Sequence, residues 1–231
     1  MERGVKPMEK QLDIIGTIRA RKSIRSFLPR PVPKQVLEEV LELAARSPSR
    51  SNTQPWEVIA IGREVMEQVS GALVQAALSP VSPDPDIPYT RFEEPYSSRR
   101  RELGYMLYEI LGINREDKQA RDEWALKGMR FFDAPNCLLF CLDRELGPWS
   151  LLDLGLFAQS VMLASLAFGL GCCSSANVTG YPRVLREILN IPDKKWVVFG
   201  MAIGYPDWQH TANKLESPRE PAANFTRWHG F

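Results

Sequence analysis

Val36, Leu37, Val40, Leu41, Ala44 and Ala45 recur at helical spacing. They predict a helix from Pro33 to Arg46 with one core-facing stripe, Pro33 sitting where a first helical turn tolerates it. Leu12, Ile15 and Ile18 share one face of a shorter helix over 12–19. Further helices are predicted over 64–78, 97–113 and 115–130, the last two separated by Gly112, and over 184–189, started by Pro182. Short apolar runs at Glu57–Ile61, Asn136–Leu142 and Lys195–Ile203 read as strands. The stretch Ser150–Phe168 is apolar on nearly every side. That pattern predicts a helix buried on all faces, central in the fold and suited to sharing with a second subunit. Gly169 and Gly171 read as its stop.

Three stretches break the periodicity. Residues 47–56 read S-P-S-R-S-N-T-Q-P-W, a shaped polar loop between a helix and a strand, where binding groups tend to sit. Residues 79–96 hold five prolines and form a long irregular loop, a kind that is often functional. Residues 205–231 show no period but carry Trp208, Phe225 and Trp228, and read as an extended C-terminal arm that packs on this chain or a neighbour. With a tail over 1–10 and no linker or repeat, residues 1–231 read as a single domain. Strands alternating with helices but few in number predict an α+β fold, helices surrounding one sheet.

Composition removes several function classes. A net charge of +1 gives no global field for nucleic acid or an anionic membrane. The local run Arg19, Arg21, Lys22, Arg25 and Arg30 reads either as a solvated helix end or as a phosphate site. Cys137, Cys141, Cys172 and Cys173 have neither disulfide-framework nor zinc spacing, and read as buried thiols in a reducing compartment. Met1–Lys10 lacks the apolar core of a signal peptide. Asp153, Gln159, Ser160 and Ser165 make 151–170 a buried helix rather than a membrane span. A cytoplasmic protein is the expectation.

The two histidines, His210 and His229, both lie in the arm, and no nucleophile, metal or dinucleotide motif occurs. What remains is a set of donors. Arginine and lysine suit phosphate, and serine, asparagine and glutamine suit the edge of a planar heterocycle. Donors without a nucleophile or metal point to chemistry borrowed from a cofactor. Tyr89, Phe92, Tyr96, Tyr105 and Tyr108 either line a pocket mouth or pack in the core.

Seven landmarks stand in order: R-K-S-I-R at 21–25, A-A-R-S-P-S-R-S-N-T-Q-P-W at 44–56, F-F-D-A-P at 131–135, D-L-G-x-x-x-Q-S-V-M-L-A at 153–164, G-L-G-C at 169–172, G-M-A-I-G-Y-P at 200–206 and S-P-R-E-P at 217–221. Together they resemble the nitroreductase family of FMN enzymes over nearly the whole chain. The G-I-N-R-E-D run at 112–117 and the W-H-G-F ending look most like its nitrobenzoate reductase branch. The resemblance implies a nitroreductase-like fold with a central mixed or antiparallel sheet, as a domain-swapped homodimer with FMN at the interface. NADH or NADPH would be the electron donor in a ping-pong reaction. The small-molecule acceptor would be a nitroaromatic, quinone or similar compound.

By the same resemblance Arg21 and Arg219 would grip the FMN phosphate, with Lys22 and Ser23 beside them, and Arg25 would face the pyrimidine edge of the flavin. Asn52 and Gln54 would bond its polar edge, and Pro48 and Ser49 would line the dimer-mate's flavin face. A backbone N–H from Ser175, Ala176 or Asn177 would meet flavin N5, although relatives carry a P-x-E-G-like turn that this chain lacks. Phe92 and Tyr105 would shape the substrate pocket. No residue of the chain is expected to act as catalytic acid or metal ligand. Reductive dehalogenation or enone reduction on the same fold, or flavin storage or sensing without turnover, are the alternatives.

Overall fold

The computed structural model describes residues 13–231; Leu12 and the predicted 1–10 tail lie outside them. Seven helices and four strands are described: α1 (Ile14–Ala20), α2 (Lys34–Ala44), β1 (Glu57–Ile61), α3 (Arg63–Leu78), α4 (Tyr96–Leu111), α5 (Lys118–Met129), β2 (Asn136–Asp143), α6 (Trp149–Ala167), β3 (Gly171–Ser175), α7 (Pro182–Leu189) and β4 (Lys195–Gly204). The strands form one sheet in the order β1-β2-β4-β3, antiparallel throughout. This is an α+β fold.

Both faces of the sheet are covered, which is why β2 is a continuous apolar run. Its residues alternate between faces. Cys137, Leu139 and Cys141 join a cluster with Met66, Val69 and Leu73 of α3 and Leu185 of α7. Leu138, Phe140 and Leu142 join the opposite cluster with Val36, Leu37 and Val40 of α2 and Phe157 and Val161 of α6. Phe140 is the hinge of that second layer, stacked on Phe199 at 4.4 Å and edge-on to Phe157 at 6.1 Å. Burying each such side chain stabilises the fold by roughly 1.5–3 kcal/mol.

Three expectations are corrected. β3 was not legible as a strand: Gly171 opens it rather than ending a helix. Within the chain α6 is not buried all round. Leu154, Phe157 and Val161 face the core, whereas Trp149, Leu152 and Leu156 face outward. Its length and composition would also suit a membrane span, but this inner face is part of the second core cluster. Helix α1 buries none of its residues, and Ile15 and Ile18, like Ile14, stand exposed.

Segment 21–28 runs along the free edge of β3. Ser23 pairs with Cys172, the Ile24 N–H donates to Cys172 O at 2.9 Å, and Phe27 bridges Pro206. Gly171 permits this approach: an added Cβ would stand 2.9 Å from Pro206 Cγ and closer still to Ile24 Cγ1. Asn213, which is fully buried, locks the segment from the other side. Its Oδ1 accepts from the Arg25 N–H at 2.7 Å, and its Nδ2 donates to Ser26 O and Asp207 O, both at 2.8 Å. The stretch from Tyr205 to Leu215 therefore packs on this chain, with Ala212 and Leu215 buried; the exposed tail begins at Glu216.

Candidate functional site

The edge-bound segment presents its basic side chains to a pocket of about 410 Å³. Arg21, Lys22, Ser23 and Arg25 line one wall, Ser217, Pro218 and Arg219 another, and Arg99, Glu102 and Leu103 of α4 a third. Five of the seven ionised lining groups are cations, the others being Glu102 and Glu220. This is a donor set suited to a doubly charged phosphate. The cations are not equivalent. Lys22 is held by Glu216 at 2.6 Å and Arg99 by Glu220 at 3.0 Å. Arg219 Nη1 donates to Ser217 O, Ser217 Oγ and Pro218 O within its own turn. Arg25 Nη1 contacts only Ser23 O, at 3.4 Å, among the described residues. Arg99, absent from the expected set, comes from an R-R-R run that gives no sign of which arginine turns inward.

The Ser47–Trp56 loop packs along the middle of α6, from Asp153 to Ser160. Ser47 Oγ donates to Ser160 Oγ at 2.6 Å, the Arg50 N–H donates to Asp153 Oδ1 at 3.0 Å, and Trp56 stacks on Phe157 at 4.7 Å. The basic segment lies near Met162 and Leu166. At 1.5 Å per helical residue, Ser160 and Met162 are about 3 Å apart along the axis, so the two segments meet α6 on neighbouring turns. Pro48, Ser49, Asn52 and Gln54 do not line the basic pocket of the same chain. Ser51, Asn52 and Gln54 hold left-handed φ values of 51°, 58° and 48°. Such strain, of order 1–3 kcal/mol per residue, concentrates at ligand clamps and switch regions. The Ser49 hydroxyl supports the shape by accepting from the Gln54 N–H at 2.9 Å.

Ser175 ends the strand to which the basic segment is paired, and Ala176 and Asn177 follow it. The proline-rich loop reaches this turn: Tyr89 Oη donates to Ala176 O at 2.8 Å. Partial burial pushes the Tyr89 hydroxyl above its ordinary pKa.

Phe92 and Tyr105 do share a cavity, of about 780 Å³, with Arg91, Arg100 and Tyr108. None of Tyr89, Phe92, Tyr96 and Tyr105 is a core residue; all are more than half exposed. At 100° per residue, the α4 positions that line this cavity (Arg100, Gly104, Tyr108) point away from those that line the basic pocket (Arg99, Glu102, Leu103). Glu94 at its rim is held down at a pKa of about 2 by donors from Ser97, Ser98 and Arg101. The four cysteines are free and buried, and among the described residues no cluster of metal-ligating side chains occurs.

The sequence pattern of the nitroreductase family matches residues 18–205, from the basic segment to the end of β4. This chain belongs to the nitroreductase family. It is 33% identical to a 4-nitrobenzoate reductase of Pseudomonas putida over 95% of this chain and 96% of that one. It is 35% identical to a chloronitrobenzene nitroreductase of Comamonas testosteroni over 90% and 93%. A crystal structure of the FMN- and NADPH-dependent nitroreductase NfnB from sphigopyxis sp. strain HMH superposes with a TM-score of 0.92 at 32% identity, covering 95% of this chain and all of the other. The FMN-dependent NfnB of Mycobacterium smegmatis, solved with NADPH, gives 0.88 at 30% identity over 92% and 96%. The α+β architecture described above is therefore the nitroreductase fold.

Proposed function

We propose that this nitroreductase binds FMN and uses NADPH or NADH to reduce nitroaromatic and related electron-poor acceptors. The observation that carries this is the pocket of five cations built on the β3 edge, in a chain about one-third identical to nitroaromatic reductases over most of its length. Arg21 and Arg219 would hold the phosphate, with Lys22 and Ser23 beside them. Arg25 would lie at the pyrimidine edge, where a fixed cation favours the negative charge that develops on reduction. FMN held there supplies hydride acceptance and re-donation, so the nicotinamide and the acceptor take turns at one face. Protons come from water, in keeping with His210 being engaged by the Ala212 N–H at 3.2 Å.

We also propose a homodimer. Pro48, Ser49, Asn52 and Gln54 do not line the basic pocket of their own chain, and Leu152 and Leu156 of α6 stand exposed. A second copy laid antiparallel along that face would bring its Pro48, Ser49, Asn52 and Gln54 to the first copy's basic pocket. The exposed Ile14, Ile15 and Ile18 of α1 and the tail over 216–231, with Phe225 and Trp228, would add to the contact. The four unpaired, buried thiols support a reducing cytoplasmic setting. Steady-state consumption of NADPH with 4-nitrobenzoate as acceptor tests the proposal. Acceptor-dependent turnover is expected; a flavin-loaded protein that consumes no nicotinamide would instead be a carrier or sensor.

A further inference from the structure

Asp86 lies in the proline-rich loop, yet its side chain is 7% exposed. Its carboxylate accepts from Arg144 Nη2 at 2.6 Å, from Arg186 Nη2 at 2.7 Å and from the Val197 N–H at 2.8 Å. The loop is thereby fastened to the end of β2, to α7 and to β4. Removing one partner of such a buried set leaves unmatched charge, which is far costlier than losing a surface pair. On either side of this anchor the loop touches the turn after β3. The Asp84 N–H donates to Gly180 O at 2.8 Å, and Tyr89 Oη donates to Ala176 O at 2.8 Å. Gly180 leaves room for this, since an added Cβ would stand 3.4 Å from both Pro83 Cβ and Tyr89 Oη.

Ala176 O also accepts from the Thr179 N–H at 3.0 Å and from Thr179 Oγ1 at 2.8 Å. The Ala176 carbonyl and the Asn177 N–H belong to one planar peptide. Three donors on the oxygen therefore fix the direction of the N–H on the other side. Among the described residues the Asn177 N–H has no acceptor of its own. We infer that Tyr89, held in place by Asp86, is a positioning residue that keeps the Asn177 N–H directed for a hydrogen bond to flavin N5. The inference rests on the FMN reading above. Oxidised N5 accepts such a bond, and N5 carrying hydrogen does not, so the bond favours the oxidised cofactor.

The test uses the full chain loaded with FMN, comparing wild type, Tyr89→Phe and Asp86→Asn. Three quantities are measured: FMN affinity by fluorescence, midpoint potential of the bound flavin, and amide exchange over 176–180. Tyr89→Phe removes one oxygen from a half-exposed ring, so the fold is expected to stand and the reduced cofactor to keep its affinity within about twofold. Exchange over 176–180 should quicken about tenfold. The oxidised form should lose affinity relative to the reduced form by three- to tenfold, a rise in potential of up to about 30 mV. Asp86→Asn should give the same signature, with faster exchange over 83–89 as well. If Asp86→Asn does not fold, Tyr89→Phe alone decides. Unchanged exchange and unchanged potential in Tyr89→Phe would overturn the inference. A wild-type chain that takes up no FMN would overturn the flavin reading, while the exchange comparison would still decide whether Tyr89 holds the peptide.

Discussion

Arg21 and Lys22 are neighbours in sequence with different duties. Lys22 is neutralised by Glu216, whereas Arg21 contributes to the pocket with no ion pair among the described residues. A hydrogen bond to a charged group is worth about 1.5–3 kcal/mol, so Arg21→Ala should weaken FMN binding about ten- to hundredfold. Lys22→Ala, which also frees Glu216, should cost less. Fluorescence titration of FMN into the two variants measures both, and equal losses would contradict the assignment. The cysteines carry a different expectation. Burial pushes Cys141 and Cys172 up to about 12, and Cys137 and Cys173 in the same direction. A thiol in the unfolded chain ionises near about 8.5. The folded values are the higher ones, so this share of stability is whole below that pH and is lost as pH rises toward about 12. Urea midpoints should fall steadily between about pH 8.5 and 11, and thiol reagents should label the native protein slowly at pH 8 but the unfolded chain at once. A flat urea profile would contradict the burial.

Among the elements, those with a strong apolar period were legible and those defined by a neighbour were not. β1 and β2 were found because Glu57–Ile61 and Asn136–Leu142 are short apolar runs between breakers. β3 was missed because Gly171-Cys172-Cys173-Ser174-Ser175 has no β-branched residue and Gly169 and Gly171 at its start look like a helix stop. Its strand state is imposed by pairing with β4 and by the Arg21–Arg25 segment packed over Gly171. The left-handed turn at Phe131, Phe132 and Asp133 has no glycine or asparagine to announce it. The loop over 79–95 was legible as irregular, but a carboxylate among prolines reads as solvated, so the burial of Asp86 was not. For the same loop, Phe92→Ala and Tyr105→Ala should change the ranking of acceptors by KM while leaving FMN affinity within about twofold, because they line the larger cavity and not the basic pocket. Equal activity of both variants across a panel of nitroaromatics and quinones would rule out that role.

For the molecule as a whole, the expected site was legible as a list of residues but not as a place. R-K-S-I-R lines the basic pocket of the folded chain and S-x-x-N-x-Q-P-W does not; the proposed partner copy would reunite them. The all-round apolarity of α6 supports that proposal, since the chain itself leaves Trp149, Leu152 and Leu156 exposed. Burying apolar surface at about 25 cal/mol per Å² would make the exposed face of α6 a source of stability for the proposed dimer. Replacing both Leu152 and Leu156 with Glu should therefore yield a monomer in sedimentation velocity, and with it the loss of FMN retention. A monomeric wild type, or a monomeric variant that keeps FMN, would contradict the shared site. The most direct measurement is an anaerobic absorbance spectrum of the purified protein with FMN, before and after NADPH and then after a nitroaromatic. Flavin bands that bleach with NADPH and return with the acceptor are expected. A protein that takes up no FMN, or whose bound flavin no nicotinamide bleaches, would contradict the reductase assignment.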